Sequence, residues 1–116
     1  DKWQIPGGKP EGDEIIQETL KRELFEEIDA KVSNIKILGY IKVDYPNNPN
    51  SKFGDTFYQI RCVCKVVKLL PQTIDPASGN IWKRKFVPTD QITEYVDWGE
   101  VGKAMFKDAI LLFKTL

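Results

Sequence analysis

The sequence contains no histidine. This absence excludes hydrolases that depend on a serine–histidine or cysteine–histidine pair, and it excludes zinc sites with histidine ligands. A catalytic site in this chain would therefore have to use carboxylates, lysine, tyrosine, backbone dipoles or a hard metal ion.

Cysteine, net charge and long apolar segments are also scarce. Cys62 and Cys64 are spaced as neighbours on one face of a strand, which is typical of core packing rather than of a redox or zinc site. Basic and acidic residues both number 17, so the charge balance indicates neither a nucleic-acid nor a membrane partner, and we expect neither. No apolar run is long enough to span a bilayer, and residues 1–4 lack the features of a signal peptide. We therefore expect a soluble, cytoplasmic protein.

The order of predicted elements indicates a single α/β domain over residues 1–116. A short apolar segment precedes a glycine-rich loop and a helix that Asp13 is placed to cap. Apolar residues spaced by four extend this helix to about Ile28. Alternating patterns then predict strands, and an amphipathic pattern predicts a final helix. The predicted strands are 3–5 (the end of one), 35–43, 57–70 and 81–87, and the final helix runs from Trp98 or Gly99 to Leu116.

Three glutamates lie close together on the first predicted helix. Glu23 and Glu27 are four residues apart, and Glu26 lies three residues after Glu23. At roughly 100° per residue, the three carboxylates share one face of the helix, where like charges repel. A divalent cation would offset this repulsion, and oxygen ligands without histidine or cysteine favour Mg²⁺ or Mn²⁺.

The alternative is a solvated acidic helix face, which is the commoner explanation for acidic residues in this spacing alone. The preceding loop favours a functional site, because Gly7 and Gly8 allow the backbone to approach a phosphate or a metal ion closely. Arg22 is adjacent to the acids and can hold one of them in position.

The spacing of these residues resembles the Nudix box, G-x5-E-x7-R-E-U-x-E-E-x-G-U, in which U is a bulky aliphatic residue. Here the box runs over residues 8–30, and the lead-in Trp3-Gln4-Ile5-Pro6-Gly7-Gly8 is also similar to that of the family. Asp29 and Ala30 replace the second glycine and the final aliphatic residue. Because aspartate tolerates the left-handed conformation in which helices commonly end, we expect a small loss of stability and no loss of chemistry. The charged positions of the box are matched by Glu14, Arg22, Glu23, Glu26 and Glu27.

The resemblance implies the α/β/α sandwich of the Nudix fold, with a mixed sheet. Members of the family usually have further strands before the segment that begins here at Trp3, whereas this sequence starts almost at that segment. We therefore expect that the usual N-terminal strand or strands are missing, and that residues 1–116 are a trimmed version of a longer polypeptide.

The resemblance also implies the chemistry, which is attack by a metal-activated water on a phosphorus of a diphosphate linkage. Mg²⁺ or Mn²⁺ would be bound by Glu23, Glu26 and Glu27, with the backbone carbonyl of Gly8 completing the set of ligands. The expected substrate is therefore a small, nucleotide-like molecule.

Other residues of the box would support this chemistry by resemblance. Arg22 would orient Glu23, which is one candidate for the general base, while Gly7 and Glu14 would support the geometry of the loop and helix. Nudix enzymes often place a further glutamate shortly before an aromatic residue that precedes the last helix, but the corresponding stretch of this sequence offers Asn80. Either another acid serves, for which Asp55, Asp90 and Glu94 are the options, or the acids of the box are sufficient.

The substrate can be narrowed only to two classes from the sequence. A proline at about the position of Pro46 is loosely associated with ADP-ribose substrates in this family, and a nucleoside triphosphate is equally compatible. The cluster Lys83-Arg84-Lys85 can contact substrate phosphates, although an exposed strand end explains it as well. Residues that can stack on a base, or simply pack, are Tyr45, Phe53, Trp82 and Trp98.

Two other interpretations stay open at this point. A catalytically silent Nudix domain could bind a nucleotide or act as a regulatory module, and a plain structural α+β domain would make the box a coincidence. A homodimer is compatible with the sequence.

Overall fold

The computed structural model describes residues 2–44 and 56–116. The mixture of helices and strands in this part confirms the predicted α/β class. No helix within the described ranges is long and apolar enough to cross a membrane. The elements in chain order are helix α1 (Ile16–Ile28), strand β1 (Ala30–Asp44), strand β2 (Thr56–Leu69), a 3-10 turn (Thr89–Gln91), helix α2 (Ile92–Tyr95) and helix α3 (Gly99–Phe113).

The two strands form an antiparallel pair, in which Ala30 lies opposite Leu69 and Asp44 lies opposite Thr56. β1 begins earlier than its alternating pattern predicts, because register shifts near its start break the period of two. Asn34 lies in one of these shifts with a φ of 52°, a conformation that lets one strand accommodate an extra residue. The parallel part of the predicted mixed sheet has no counterpart among residues 2–44 and 56–116.

The start of α1 differs from the prediction. Its N-cap is Ile15 rather than Asp13, so the prediction for Asp13 is wrong. The Glu14 amide donates to the carbonyl of Glu11, which places Asp13 in a turn before the helix. The carboxylate of Glu18 accepts a hydrogen bond from the Ile15 amide at 3.2 Å, and this side chain therefore satisfies one of the free amides at the helix start.

The end of α1 explains how Asp29 replaces a glycine. Asp29 has φ 53° and ψ 38°, and its amide reaches the carbonyls of Leu24 and Phe25. Asp29 as a whole residue is only 3% exposed. Its carboxylate accepts hydrogen bonds from the amide of Thr73 at 2.8 Å and from the hydroxyl of Thr73 at 2.7 Å. The expected left-handed conformation is confirmed, and the side chain adds two hydrogen bonds that glycine could not make.

We expect Asp29→Ala to lower the free energy of unfolding by about 2–4 kcal/mol. A left-handed alanine costs about 1 kcal/mol, and the loss of the two hydrogen bonds from Thr73 costs about 1–3 kcal/mol more in total. Urea denaturation would measure the loss. Asn34→Ala is the matched control, because Asn34 has a similar φ of 52° and should lose only about 1 kcal/mol. Equal losses for the two variants would contradict a role for the Thr73 contacts.

Two predicted strand segments are absent from the structure. Residues 81–87 form no strand, and neither do residues 3–5, so both predictions are wrong. In the first segment, side chains rather than a neighbouring strand provide contacts: the Gln72 side-chain amide donates to the carbonyl of Trp82. Alternation of apolar residues alone does not reveal this difference.

The helices pack on opposite parts of the strand pair, with α1 against β1 and α3 mainly against β2. Trp98 stacks on Phe106 of α3 at 5.9 Å between ring centroids, while the guanidinium of Arg61 lies 4.5 Å from the centre of the Trp98 ring. This arrangement gives Trp98 a packing role. Among the described residues, the buried apolar side chains are Leu24, Ala30, Val96 and Phe106.

Candidate active site

Arg22 joins the loop to the acidic face of α1. Its Nε and Nη2 atoms donate to the two carboxylate oxygens of Glu14 at 2.7 and 3.0 Å. Its Nη1 atom donates to Glu23 at 2.9 Å and to Glu26 at 3.2 Å, and Nη2 also donates to the carbonyl of Lys9 at 2.9 Å. One guanidinium group therefore neutralises several carboxylates and fixes the loop against the helix.

Glu14 supports the junction between the loop and α1. Its Oε1 atom also accepts hydrogen bonds from the Glu11 amide at 2.8 Å and from the Thr19 hydroxyl at 3.2 Å. The hydrogen bonds from Arg22, followed by the one from the Glu11 amide, lower the pKa of Glu14 to about 2. The same pairing with Glu14 is the main cause that raises the pKa of Arg22 above its ordinary value. The pair is charged at any pH near neutrality.

Gly8 lies directly against the carboxylate of Glu23. A Cβ atom at Gly8 would be 2.2 Å from both Cδ and Oε1 of Glu23. A Cβ at Gly7 would meet nothing within 4 Å. The box glycine is therefore required for the close approach of the loop backbone to this carboxylate, whereas its neighbour is not.

Glu27 contacts the loop through the backbone of Gly7. Its Oε2 atom accepts a long hydrogen bond of 3.4 Å from the Gly7 amide. Burial is the main cause that raises the pKa of Glu27 to about 7, and interactions with Glu23 and repulsion by Asp75 act in the same direction. The hydrogen bond from Gly7 acts in the opposite direction. A carboxyl group crowded by other acids in this way would gain from a nearby cation.

The donor set suits a hard divalent ion, although the three box acids do not yet enclose one. Within the described ranges, no three acidic, cysteine or histidine side chains converge closely enough to hold a metal ion. Glu23 and Glu26 are both directed to Arg22, and Glu27 is directed to Gly7. Carboxylate oxygens without histidine or cysteine are the ligands that hard ions such as Mg²⁺ and Mn²⁺ prefer.

The sequence did not single out Asp75, which the structure places near the acids. It lies close enough to Glu27 for its charge to raise the pKa of Glu27. Its carboxylate accepts hydrogen bonds from the Ala77 amide, the Ser78 hydroxyl and the Trp82 indole, and the last of these is the main cause that lowers its own pKa. An aspartate directly before the turn-forming segment Pro-Ala-Ser-Gly was the signal available in the sequence.

The other predicted residues are less well connected to the acids. Tyr45, Pro46, Phe53 and Asp55 lie outside the described residues. No contact within the described ranges joins Asp90 or Glu94 to a box carboxylate.

The basic cluster at 83–85 divides into three different environments. Arg84 donates to the carbonyl of Ile28 at 2.7 Å, and the Lys85 ammonium lies 4.6 Å from the centre of the Tyr95 ring. Lys83 is exposed, and the described residues provide it with no ion pair. Only Lys83 of these three therefore keeps the substrate-binding role predicted from the sequence as a proposal.

The state of Glu27 predicts a pH-dependent stability when no metal is present. Between its ordinary pKa of 4.5 and its folded pKa of about 7, the folded protein binds more protons than the unfolded chain. Its contribution to stability is therefore fully present below pH 4.5 and is lost as the pH rises through 7. Urea denaturation in EDTA at several pH values should show this decline, and Glu27→Gln should remove it. Parallel pH profiles for the two proteins would contradict the assignment.

The chain was compared with known proteins. The NUDIX domain family model matches residues 1–108. Over 44 residues the chain is 46% identical to the 8-oxo-dGTP diphosphatase of Buchnera aphidicola subsp. Acyrthosiphon pisum (strain APS), which covers 38% of this chain and 36% of that protein. Over 45 residues it is 40% identical to the 8-oxo-dGTP diphosphatase of Proteus vulgaris, which covers 39% of this chain and 40% of that protein. The chain therefore matches well under half the length of each of these relatives. No solved structure matches the chain.

The family model covers nearly the whole chain, and its match includes the glycine loop and the acidic helix described above. On this evidence the chain belongs to the Nudix family.

Proposed function

We propose that this protein hydrolyses a diphosphate linkage in a nucleoside diphosphate that is joined to another group, with a divalent metal ion as cofactor. The observation that carries the proposal is the crowding of Glu23 and Glu27 beside Gly8, where a Cβ atom would lie 2.2 Å from the Glu23 carboxylate. Burial is the main cause that raises the pKa of Glu27 to about 7, and the neighbouring Glu23 acts in the same direction, so a cation at this position would stabilise the charged carboxylates. Nudix hydrolases generally use divalent metals.

In the proposed site, Glu23, Glu26, Glu27 and the Gly8 carbonyl hold Mg²⁺ or Mn²⁺. When bound, such an ion acidifies a water molecule and neutralises charge that develops on the phosphate oxygens. Glu23 is held on one side by Arg22 at 2.9 Å and is the proposed acceptor of the proton of the attacking water.

Two residues of the box keep this arrangement in place. Arg22 orients Glu23 and also holds Glu26, while Glu14 fixes Arg22 through two hydrogen bonds of 2.7 and 3.0 Å. Gly7 supports Glu27 through its amide. These contacts give the acids a defined geometry before a substrate arrives, which lowers the cost of reaching the transition state.

A nucleoside triphosphate is the substrate class that the relatives favour. The proteins from Buchnera and Proteus are both named 8-oxo-dGTP diphosphatase. An ADP-ribose-like substrate is the second class, and Lys83 is proposed to contact the phosphates of either one. Tyr45, Pro46 and Phe53 belong to the proposed substrate contacts and lie outside the described residues.

The experiment is a panel of nucleoside triphosphates, including 8-oxo-dGTP, and of nucleoside diphosphate sugars, assayed for phosphate or diphosphate release. Wild type with Mg²⁺, wild type with EDTA and Glu27→Gln with Mg²⁺ are compared. We expect turnover only in the first condition, with Glu27→Gln reduced by at least about 100-fold, the loss typical of removing one charge-stabilising group. Glu18→Gln is the matched control, since Glu18 lies on the same helix and contacts the Ile15 amide instead. Turnover that persists in EDTA would contradict the proposal.

The second candidate is a Nudix domain that binds nucleotides without hydrolysing them. Its support is that the described residues do not bring three acids together around one point. For this candidate, calorimetry would show that the protein binds the metal and a nucleotide, and the panel would show no turnover.

We also propose that the protein works in the cytoplasm on a small molecule, without nucleic acid, as a monomer or homodimer. Light scattering of the purified chain would measure its mass, and a mobility shift with DNA or RNA at low salt would contradict the absence of a nucleic-acid partner.

A further inference from the structure

The segment that follows β2 is fixed to the end of the acidic helix. We call residues 70–84 the 70–84 loop. The Leu70 amide donates to the Asp29 carbonyl at 2.9 Å, and Thr73 donates twice to the Asp29 carboxylate. At the other end, Arg84 donates to the Ile28 carbonyl at 2.7 Å. Because Ile28 and Asp29 directly follow Glu27, both ends of the loop are held next to the proposed metal-binding acids.

Asp75 organises the middle of the 70–84 loop. It is 4% exposed, and its carboxylate accepts hydrogen bonds at 3.1 Å from the Ala77 amide, 3.0 Å from the Ser78 hydroxyl and 2.9 Å from the Trp82 indole. The Asp75 amide also donates to the Asn80 carbonyl at 2.8 Å. A single buried carboxylate therefore fixes the turn and the polar edge of the Trp82 ring.

Trp82 is held at two points and yet remains at the surface. Its indole is bound by Asp75, and its carbonyl accepts a hydrogen bond from the Gln72 side-chain amide. The residue is nevertheless 45% exposed, and Ile74 and Ile81 in the same loop are more than half exposed. A ring that is held by its polar edge and still exposed is suited to contact a flat apolar ligand.

We propose that Trp82 is the surface on which the nucleobase of the substrate stacks, and that Asp75 is the positioning residue for this ring. The inference rests on the proposed function, since it assumes that the ligand is a nucleotide whose phosphates lie at Glu23 and Glu27. The anchors at Ile28 and Asp29 fix the loop that carries Trp82 to the end of the helix that carries those acids. Every base has an aromatic face, so stacking gives affinity for the base, and other contacts select which base is bound.

The test is equilibrium binding, measured by calorimetry in the presence of Mg²⁺, of guanosine and adenosine 5′-monophosphate. Ribose 5-phosphate is the ligand without a base. We expect Trp82→Ala to weaken nucleotide binding by about tenfold or more, whereas Trp82→Phe, which keeps a ring, stays within about threefold of wild type. Neither change should alter the affinity for ribose 5-phosphate. Trp98→Phe is the control, because Trp98 packs on Phe106 of α3.

A separate measurement tests whether Asp75 positions the Trp82 ring. Asp75→Asn should weaken the binding of the nucleotides more than that of ribose 5-phosphate, and this difference should not grow when the change is combined with Trp82→Ala, because both changes act on the same ring. Circular dichroism checks the fold of each variant, and Trp82→Leu replaces Trp82→Ala if the alanine variant does not fold.

Two results would overturn the inference: unchanged nucleotide affinity in the variant without a ring, or an equal loss for nucleotide and ribose 5-phosphate. Because these measurements need no turnover, they are separate from the hydrolysis assay. If hydrolysis is absent but stacking is observed, the proposed function fails and the base site stands. If hydrolysis is observed without stacking, the reverse holds.

Discussion

Gly8→Ala is expected to lower kcat by about 100-fold while leaving the melting temperature almost unchanged. The new Cβ would lie 2.2 Å from the Glu23 carboxylate, which is too close for any stable contact. The carboxylate is the free end of a flexible side chain, so it can turn away without disturbing the backbone. The protein therefore stays folded, but the proposed base and metal ligand is displaced, and a shift of about 1 Å in a catalytic group can cost about 100-fold in rate.

Gly7→Ala is the matched comparison for this prediction. It adds the same methyl group one residue earlier, where nothing lies within 4 Å of the new Cβ, and it keeps the amide that donates to Glu27. We expect it to lose far less activity than Gly8→Ala. The measurements are kcat on the substrate identified by the panel and a thermal melt of each variant. Similar losses of kcat in the two variants, or unfolding of Gly8→Ala, would show that contact with Glu23 is not the cause.

Arg22→Ala is expected to remove nearly all activity and to lower stability as well. Without the guanidinium, Glu14, Glu23 and Glu26 lose their shared partner, and the loop loses the hydrogen bond to the Lys9 carbonyl at 2.9 Å. The remaining carboxylates repel one another on the helix. We expect a fall of about 100-fold or more in kcat, since two of these acids are proposed metal ligands.

Two further variants separate charge from geometry at this position. Arg22→Lys keeps the charge but cannot reach four groups through a planar fork, so it should recover only part of the stability and little of the activity. Lys21→Ala removes an exposed positive charge from the same helix and should change neither property much. Urea midpoints and kcat values for the three variants provide the comparison. Full activity in Arg22→Lys would mean that charge alone is sufficient.

Several parts of the fold follow directly from local sequence patterns. The periodicity of Leu20, Leu24 and Ile28 predicted α1, and alternation predicted the cores of both long strands. Residues 81–87 show the limit of this reasoning, because their alternation predicted a strand that the structure does not form. Their environment depends on Gln72 and Asp75, which contact Trp82 from earlier in the loop. The alternation of apolar residues does not predict such contacts.

The candidate site likewise contains residues that local spacing predicts and residues that it does not. Arg22 and the glutamates that it contacts lie in one helix and the loop before it, so their spacing in the sequence was enough to predict that they lie together. Asp75 was missed because its relation to Glu27 depends on how a distant loop folds back on the helix. The roles of Glu26 and Glu27 could not be separated from spacing alone, since only coordinates show that one is held by Arg22 and the other faces Gly7.

The contacts at the end of α1 also bear on the order in which the chain acquires its structure. The last turn of the acidic helix depends on Thr73, which lies 44 residues after Asp29, and on Arg84, which lies 56 residues after Ile28. Closing a loop of this length costs more conformational entropy than forming a local contact, so we expect these contacts to form after the helix itself. A nascent chain that ends at β2 would therefore contain the whole Nudix box but not the contacts that secure its end. The proposed site would then be complete only after the 70–84 loop has been synthesised. Hydrogen exchange on a chain truncated after β2 should show that the amides at the end of α1 are unprotected.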